Sequence, residues 1–238
     1  MNIIITGASK GMGKALAEKF AANKHNLVLC ARNEVQLYKT MEELLLKYPD
    51  SIIKSLAVDL SETAAAKNFG DWAQQQVAKM PGGVVDILVN NAGQFQPGSI
   101  YNEDEGVLES MMAINLFSAY HLTRVLLPGM MKNKKGHIFN ICSIASLNAY
   151  KNGGAYSISK FAMLGFSKNL REEMKPHGIK VTAVMPGAVY TDSWKESDIQ
   201  PQRIMEPEDI AGLIYAAASL SPQAVVEDII MRPQLGDV

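Results

Sequence analysis

Seven short apolar runs, most of them rich in β-branched residues, recur along the chain: 2–6 (NIIIT), 26–31 (NLVLCA), 52–58 (IIKSLAV), 85–90 (VDILVN), 137–142 (HIFNIC), 179–185 (IKVTAVM) and 225–231 (VVEDIIM). Helical patterns fill the intervals near 12–23, 34–47, 62–79, 104–131, 155–175 and 207–219. This alternation constrains the fold more than any other feature. Several of the runs are apolar on both faces, as a parallel sheet covered by helices on each side requires. The expected fold class is therefore α/β, a doubly wound parallel sheet. With 238 residues and no repeat, linker or low-complexity tract, the chain reads as one domain, 1–238.

The first run leads straight into a glycine turn, "TGASKGMG", where Gly7, Gly11 and Gly13 precede a helix. Main-chain amides at a helix N-terminus, together with the helix dipole, suit an anion. Glycines let the backbone turn sharply and approach a ligand with no Cβ in the way. The spacing is T-G-x-x-x-G-x-G, which is neither a P-loop nor a plain G-x-G-x-x-G. In a Rossmann sheet a dinucleotide binds at this point, and an acid after the second strand takes the ribose of NAD. Here the second strand ends "LCARN", with Arg32 where that acid would stand, and Lys10 lies inside the glycine turn. Two cations in place of an acid favour the 2′-phosphate of NADP.

Tyr156 and Lys160 stand four residues apart in a helical pattern, which places them on one face. A phenol near its ordinary pKa is a weak base, and a neighbouring ammonium favours its ionised form. The pair can therefore act as a general acid and base. Ser143 follows the strand 137–142, at the end of a strand where ligands of α/β sheets sit; it could hold a substrate oxygen or cap a turn, and Ser146 competes for either role. Asn115 falls in the middle of the 104–131 helical pattern, where a buried polar network or a kink would explain it.

Bulk properties exclude several classes. Apolar residues make up 47% and charged residues 20%, as in an ordinary globule, and the net charge of −1 gives no field for nucleic acid or an anionic membrane. Lys132, Lys134 and Lys135 read as a solvated helix end. The sequence starts on its first strand without a charged leader, and no window reaches the roughly 18 apolar residues of a membrane span. Cys30 and Cys142 lie in strand-like runs as small hydrophobes, which fits a reducing, cytoplasmic compartment. His25, His121, His137 and His177 lack ligand spacing, so no metal site is expected. The patterns 104–131 and 155–175 are apolar around much of their circumference, for a subunit interface or a deep core contact.

These features together resemble the short-chain dehydrogenase/reductase family over essentially the whole chain, and its NADP-dependent 3-oxoacyl-carrier-protein reductase-like members within it. Thr6, Gly7, Gly11 and Gly13 match the family's cofactor turn, Asn90–Gly93 its N-N-A-G signature, and Asn115, Ser143, Tyr156 and Lys160 its catalytic tetrad. Pro186, Gly187 and Thr191 match the P-G-x-x-x-T segment beside the nicotinamide, and Asp59 the position against the adenine. The resemblance implies a Rossmann-type sheet of seven strands in the order 3-2-1-4-5-6-7. It implies NADP(H) contacts at Gly7, Ser9, Lys10, Gly11, Met12, Gly13, Arg32, Asp59, Leu60, Asn91, Ala92, Gly93, Tyr156, Lys160, Pro186, Gly187, Val189 and Thr191. It also implies hydride transfer between the cofactor and a carbonyl or secondary alcohol, with Tyr156 moving the proton, Ser143 binding the oxygen, Lys160 lowering the pKa of Tyr156, and Asn115 fixing a water that links Lys160 to solvent. A homodimer or homotetramer through the two long helices is the expected assembly.

The chain departs from the family in two places. The segment 188–205, expected to form the substrate lid, is short and polar, with Trp194 as its one large aromatic, which argues against a bulky apolar substrate. The ending "MRPQLGDV" lacks the glycine pair common in ketoacyl reductases, and little of it is expected to cover the site. Pocket-lining candidates are Gln94, Phe95, Ala145, Tyr150, Ala188 and Trp194. The alternatives are a catalytically idle NADP(H)-binding sensor or scaffold, and NAD(H) in place of NADP(H).

Overall fold

The computed structural model describes residues 1–191 and 199–237. Its strands are β1 (Asn2–Thr6), β2 (Asn26–Ala31), β3 (Ile53–Ala57), β4 (Ile87–Asn90), β5 (Gly136–Ile141), β6 (Ile179–Pro186) and β7 (Asp228–Met231). All pair in parallel, in the order β3-β2-β1-β4-β5-β6-β7. Between them run α1 (Gly11–Ala21), α2 (Glu34–Lys47), α3 (Thr63–Val77), α4 (Val107–Met112), α5 (Ser118–Asn133), α6 (Gly154–Met174) and α7 (Pro207–Ala218).

Successive side chains of a strand point to opposite faces, and β1 feeds both faces of the sheet with isoleucine. Ile3 and Ile5 join Leu16 and Phe20 of α1, Leu37 of α2 and Ile210 and Ile214 of α7 in one core cluster. Ile4 joins Phe69 of α3, Leu126 of α5 and Leu170 of α6 in the other. Each fully buried isoleucine removes enough apolar surface to contribute about 1.5–3 kcal/mol. The strand order reverses between β1 and β4, since β2 and β3 lie on one side of β1 and β4 through β7 on the other. In a sheet of this kind the ligand cleft lies at that switch point, at the strands' carboxyl ends.

The expected helix over 104–131 is interrupted. α4 ends at Met112, a π-helical turn covers Ala113–Phe117, and α5 continues from Ser118. Asn115 sits in that turn, 1% exposed. A π-turn adds a residue to the helical ladder and re-aims the side chain that occupies it. The wide apolar surface of this stretch divides between two environments: Val107 and Met111 pack in the core with Ala155, while Leu108, Phe117 and Tyr120 face outward. Among the described residues no helix is long and apolar enough to cross a membrane.

Candidate active site

The turn after β1 is locked to the loop after β4. The hydroxyl of Thr6 accepts the main-chain N–H groups of Asn91 at 2.9 Å and Ala92 at 2.8 Å. The Asn91 carboxamide donates to the carbonyls of Thr6 at 2.8 Å and Gly7 at 3.1 Å. Gly7 and Gly11 take positive φ of +64° and +52°. At Gly13 the constraint is space, because a Cβ there would lie 2.1 Å from the Gly7 carbonyl oxygen. The turn therefore brings main chain close to the cleft floor at the start of α1, whose N-cap, Lys10, offers no side-chain cap to the first-turn amides. This is the cradle that a pyrophosphate requires. The Ser9 carbonyl accepts the hydroxyl of Thr40 at 2.8 Å, which ties the turn to α2.

Arg32 follows the last residue of β2, and its guanidinium lies 3.9 Å from the carboxylate of Asp59, which follows β3. The side chain of Arg32 is 73% exposed. The Ser61 hydroxyl and N–H both donate to Asp59 and hold its carboxyl below the usual carboxylate range. Leu60 buries its side chain in the core. Lys10 is exposed at the rim of the turn.

A cavity of about 620 Å³ lies at the carboxyl ends of β4, β5 and β6. Ser143, Tyr156 and Lys160 line it together with Met12, Asn91, Gly93, Pro186, Gly187, Val189 and Thr191. Gly11 and Thr191 also border a second cavity of about 520 Å³ beside α1. Of the expected pocket residues, Gln94, Phe95, Ala145, Tyr150 and Ala188 line the larger cavity, whereas Trp194 lies outside the described residues.

Ser143 caps a turn and also lines the cavity. Its hydroxyl accepts the Ala145 N–H at 3.1 Å, capping the turn Ile144–Ser146, and the residue faces the cavity beside Tyr156. Ser146 is buried and accepts the Ser143 N–H, so it supports the turn from behind. Lys160 is buried, and its ammonium donates to the Ile141 carbonyl at 2.9 Å.

Two features of this machinery were not visible in the sequence. The Asn115 side chain ties the loop after β4 to α6. Its oxygen accepts the Gln94 N–H at 2.8 Å, and its amide donates to the Gln94 carbonyl at 3.0 Å and the Ser159 hydroxyl at 2.9 Å. Ser159 passes the connection on to the Tyr156 carbonyl at 2.7 Å. Ser159, unremarked in the sequence, is thus a link between Asn115 and the tyrosine; its position at i+3 from Tyr156 is the one signal it gives. Gly93 fits between the two, since a Cβ there would meet the Asn115 oxygen at 3.0 Å and the Lys160 ammonium at 3.5 Å.

The second feature concerns charge. Burial pushes the Tyr156 phenol above its ordinary pKa, against the opposing pull of the Ser143 hydroxyl. The Lys160 ammonium lies 5.8 Å from the ring centre and donates to the Ile141 carbonyl. Burial also lowers the pKa of Lys160 itself to about 8. A phenol raised in this way stays protonated at neutral pH, the form an acid must have to protonate a carbonyl oxygen.

The C-terminal residues also reach the site, contrary to expectation. Asp237 lines the cavity and accepts the Tyr150 hydroxyl at 2.8 Å, and Arg232 pairs with the same carboxylate. Arg203 donates to the carbonyls of Leu235, Gly236 and Asp237.

A parallel sheet with a glycine cradle at its switch point, and a phenol, an ammonium and a hydroxyl converging beside it, defines a dinucleotide-dependent oxidoreductase. Comparison with known proteins narrows the class. The pattern of the family described as short chain dehydrogenase matches residues 1–202. A sepiapterin reductase from Chlorobaculum tepidum is 33% identical over 99% of this chain and 97% of its own. A metagenomic short-chain oxidoreductase, solved in complex with NADP, is 30% identical, with a TM-score of 0.85 over 98% of this chain and 97% of that one. Serine dehydrogenase from Escherichia coli superposes with a TM-score of 0.83 at 26% identity over the full length of both chains. The chain belongs to the short-chain dehydrogenase/reductase family.

Proposed function

We propose that the protein is an NADP(H)-dependent oxidoreductase that interconverts a small carbonyl compound and its secondary alcohol, with Tyr156 as general acid and base. The observation that carries this reading is the convergence of Ser143, Tyr156 and Lys160 on one wall of a cavity that Gly93, Pro186 and Gly187 also line. The cradle fits a dinucleotide: Gly7, Gly11 and Gly13 would hold its pyrophosphate, Asn91–Gly93 and Pro186–Thr191 would flank its nicotinamide, and Asp59 with Leu60 would lie toward its adenine. When bound, the cofactor supplies or accepts the hydride. Ser143 orients the substrate oxygen by a hydrogen bond. Tyr156 gives its proton to that oxygen in reduction and takes it back in oxidation. Lys160 provides the positive charge that stabilises the phenolate left behind.

Lys10 and Arg32, with no acid at the end of β2, support NADP(H) over NAD(H). The NADP in the metagenomic relative points the same way. The cavity wall combines apolar Phe95, Ile144 and Ala145 with polar Gln94, Tyr150, Asn152 and Asp237. Such a pocket takes a compact carbonyl compound with a hydrogen-bonding end. The segment 188–205 is proposed as the lid within a single domain, and its described ends are pinned together: Tyr190 N–H donates to Met205 at 2.8 Å and Met205 N–H to Ala188 at 3.1 Å. Outward-facing Phe117, Tyr120, Ile158 and Phe161 on the stretch from the π-turn through α6 support a homodimer or homotetramer. Cys30 and Cys142, free and buried, are compatible with a reducing cytoplasm.

The test is oxidation of NADPH and NADH against a carbonyl panel. The panel includes sepiapterin, for the Chlorobaculum relative, and acetoacetyl thioesters, for the 3-oxoacyl substrates that the sequence motifs suggest. Diketones, aldehydes and small keto sugars complete it. Turnover with NADPH on one class supports the proposal. Tight NADPH binding with no turnover on any class would instead indicate the idle sensor.

A further inference from the structure

The helix that carries Tyr156 and Lys160 has no cap of its own. Gly153 stands at its N-cap without a side chain, and its first turn contains no acid. The first main-chain N–H groups of a helix have no partners within it. In α6 the N–H of Ala155 is taken by Glu103, whose carboxylate oxygens lie at 2.9 and 3.2 Å. Glu103 stands 52 positions earlier in the chain, in the loop between Gly93 and α4. It is half-buried. A carboxylate at the positive end of a 21-residue helix is favourable on charge as well as on hydrogen bonding.

The backbone around this contact is shaped to it. Gly154 adopts φ +30°, and a Cβ there would fall 2.0 Å from the Glu103 oxygen. A Cβ at Gly98 would fall 2.6 Å from the Glu103 side chain. Two glycines from separate segments thus form the slot in which the glutamate lies. The same loops are joined by the Gly98 N–H, which donates to the Asn152 carbonyl at 3.1 Å, and by the Ser99 hydroxyl, which donates to the Asn152 carboxamide oxygen at 3.0 Å. The loop's other end is held at Gln94 by Asn115. Between these anchors Phe95 meets the Tyr156 ring edge-on, with centres 4.8 Å apart.

We infer that Glu103 is a positioning residue for the reaction: it caps the catalytic helix from outside and fixes Tyr156, one residue beyond Ala155, in its place in the lining of the substrate cavity. This inference rests on the proposed reductase reading, because it assigns Tyr156 the proton transfer. A shift of about an ångström at a reacting group can cost a hundredfold in rate.

The test compares Glu103→Ala and Glu103→Gln in the full chain, by diacetyl reduction with NADPH, by NADPH affinity, and by amide exchange of Ala155 and Tyr156. Glu103→Ala should lower kcat roughly tenfold or more, leave NADPH affinity within about twofold, and speed exchange in the first turn of α6 alone. Glu103→Gln keeps an acceptor oxygen and should recover most of the loss in both readouts. The inference is overturned if Glu103→Ala leaves first-turn exchange unchanged, if the two variants lose equally, or if kcat and NADPH affinity fall together. Amide exchange decides the capping role even if diacetyl is not turned over, in which case the loss falls on the functional proposal instead.

Discussion

The ammonium of Lys160 stands 5.8 Å from the centre of the Tyr156 ring and donates to the Ile141 carbonyl rather than to the phenol. Both groups are driven toward their neutral forms by burial, the phenol upward and the ammonium down to about 8. The expected consequence is a reductase whose acid is ready at neutral pH and whose cation is lost in mild alkali. Lys160 is charged below pH 8 and neutral above it, so kcat for carbonyl reduction should fall as pH rises through about 8. Tyr156→Phe should lower kcat by about a hundred- to ten-thousand-fold while NADPH affinity stays near that of the parent. Steady-state rates across pH check both statements. A Lys160→Met variant that kept the same alkaline limb would remove Lys160 as its source.

Much of this site was legible in the sequence, and the parts that were not share a cause. Gly7, Gly13, Tyr156 and Lys160 could be placed because each lies within a short local pattern whose geometry follows from strand or helix periodicity. The sheet order followed from family resemblance and the alternation behind it. Glu103 and Asp237 could not be placed, because each acts across the fold on a partner 52 or 87 positions away. The π-turn at Asn115 was legible only in part: a mid-helix asparagine called for a buried network or a kink, but the apolar spacing is that of a continuous helix and the partners Gln94 and Ser159 lie far along the chain. The Lys160 contact with Ile141 was not legible either, because helix spacing places the lysine beside the tyrosine without showing which carbonyl accepts its N–H.

Cofactor choice follows from the charges at the end of β2. Arg32 is largely exposed and faces Asp59 at 3.9 Å, a separation at which a phosphate could draw the guanidinium away at little expense. Exchanging Arg32 for Asp and Lys10 for Ala removes two cations and restores the acid that NAD-binding relatives of this fold use. Each charge-assisted hydrogen bond contributes about 1.5–3 kcal/mol, so the double variant should shift the kcat/KM ratio of NADPH to NADH by at least about a hundredfold toward NADH. A parent protein that already prefers NADH would reverse the assignment of both residues.

Gly13 should be the least replaceable residue of the turn. A methyl group there would stand 2.1 Å from the Gly7 carbonyl oxygen and 2.6 Å from the Asn91 amide. Neither can yield without breaking the Thr6–Asn91 lock that joins the loops after β1 and β4. Gly13→Ala should therefore abolish measurable NADPH binding by fluorescence titration and lower the melting temperature, whereas Gly165→Ala on α6, which has open space around it, should leave binding intact. Unimpaired NADPH binding in Gly13→Ala would show that the turn is not the pyrophosphate cradle.

His137 offers a test of stability independent of any ligand. Its ring stacks on Phe139 with centres 3.9 Å apart, and Nε2 lies 2.8 Å from the Thr182 hydroxyl. That hydroxyl donates its own hydrogen to the Val226 carbonyl at 2.6 Å, so it must accept from the imidazole N–H. Burial, with a smaller push from Lys180, lowers the His137 pKa to about 3. The unfolded chain takes up a proton near the ordinary value of 6.5, while the folded chain does not until about 3. Stability from the neutral ring is complete above pH 6.5 and is lost as pH falls below it, by up to about 1.4 kcal/mol per pH unit. Between pH 6.5 and about 5, above the ordinary carboxylate range, this slope should stand out in urea unfolding midpoints. His137→Gln removes the most deeply buried titrating histidine and should reduce the slope in that window, with a remainder left by His25 and His121, whose pKa values burial also lowers, and an unchanged slope would place the acid sensitivity elsewhere.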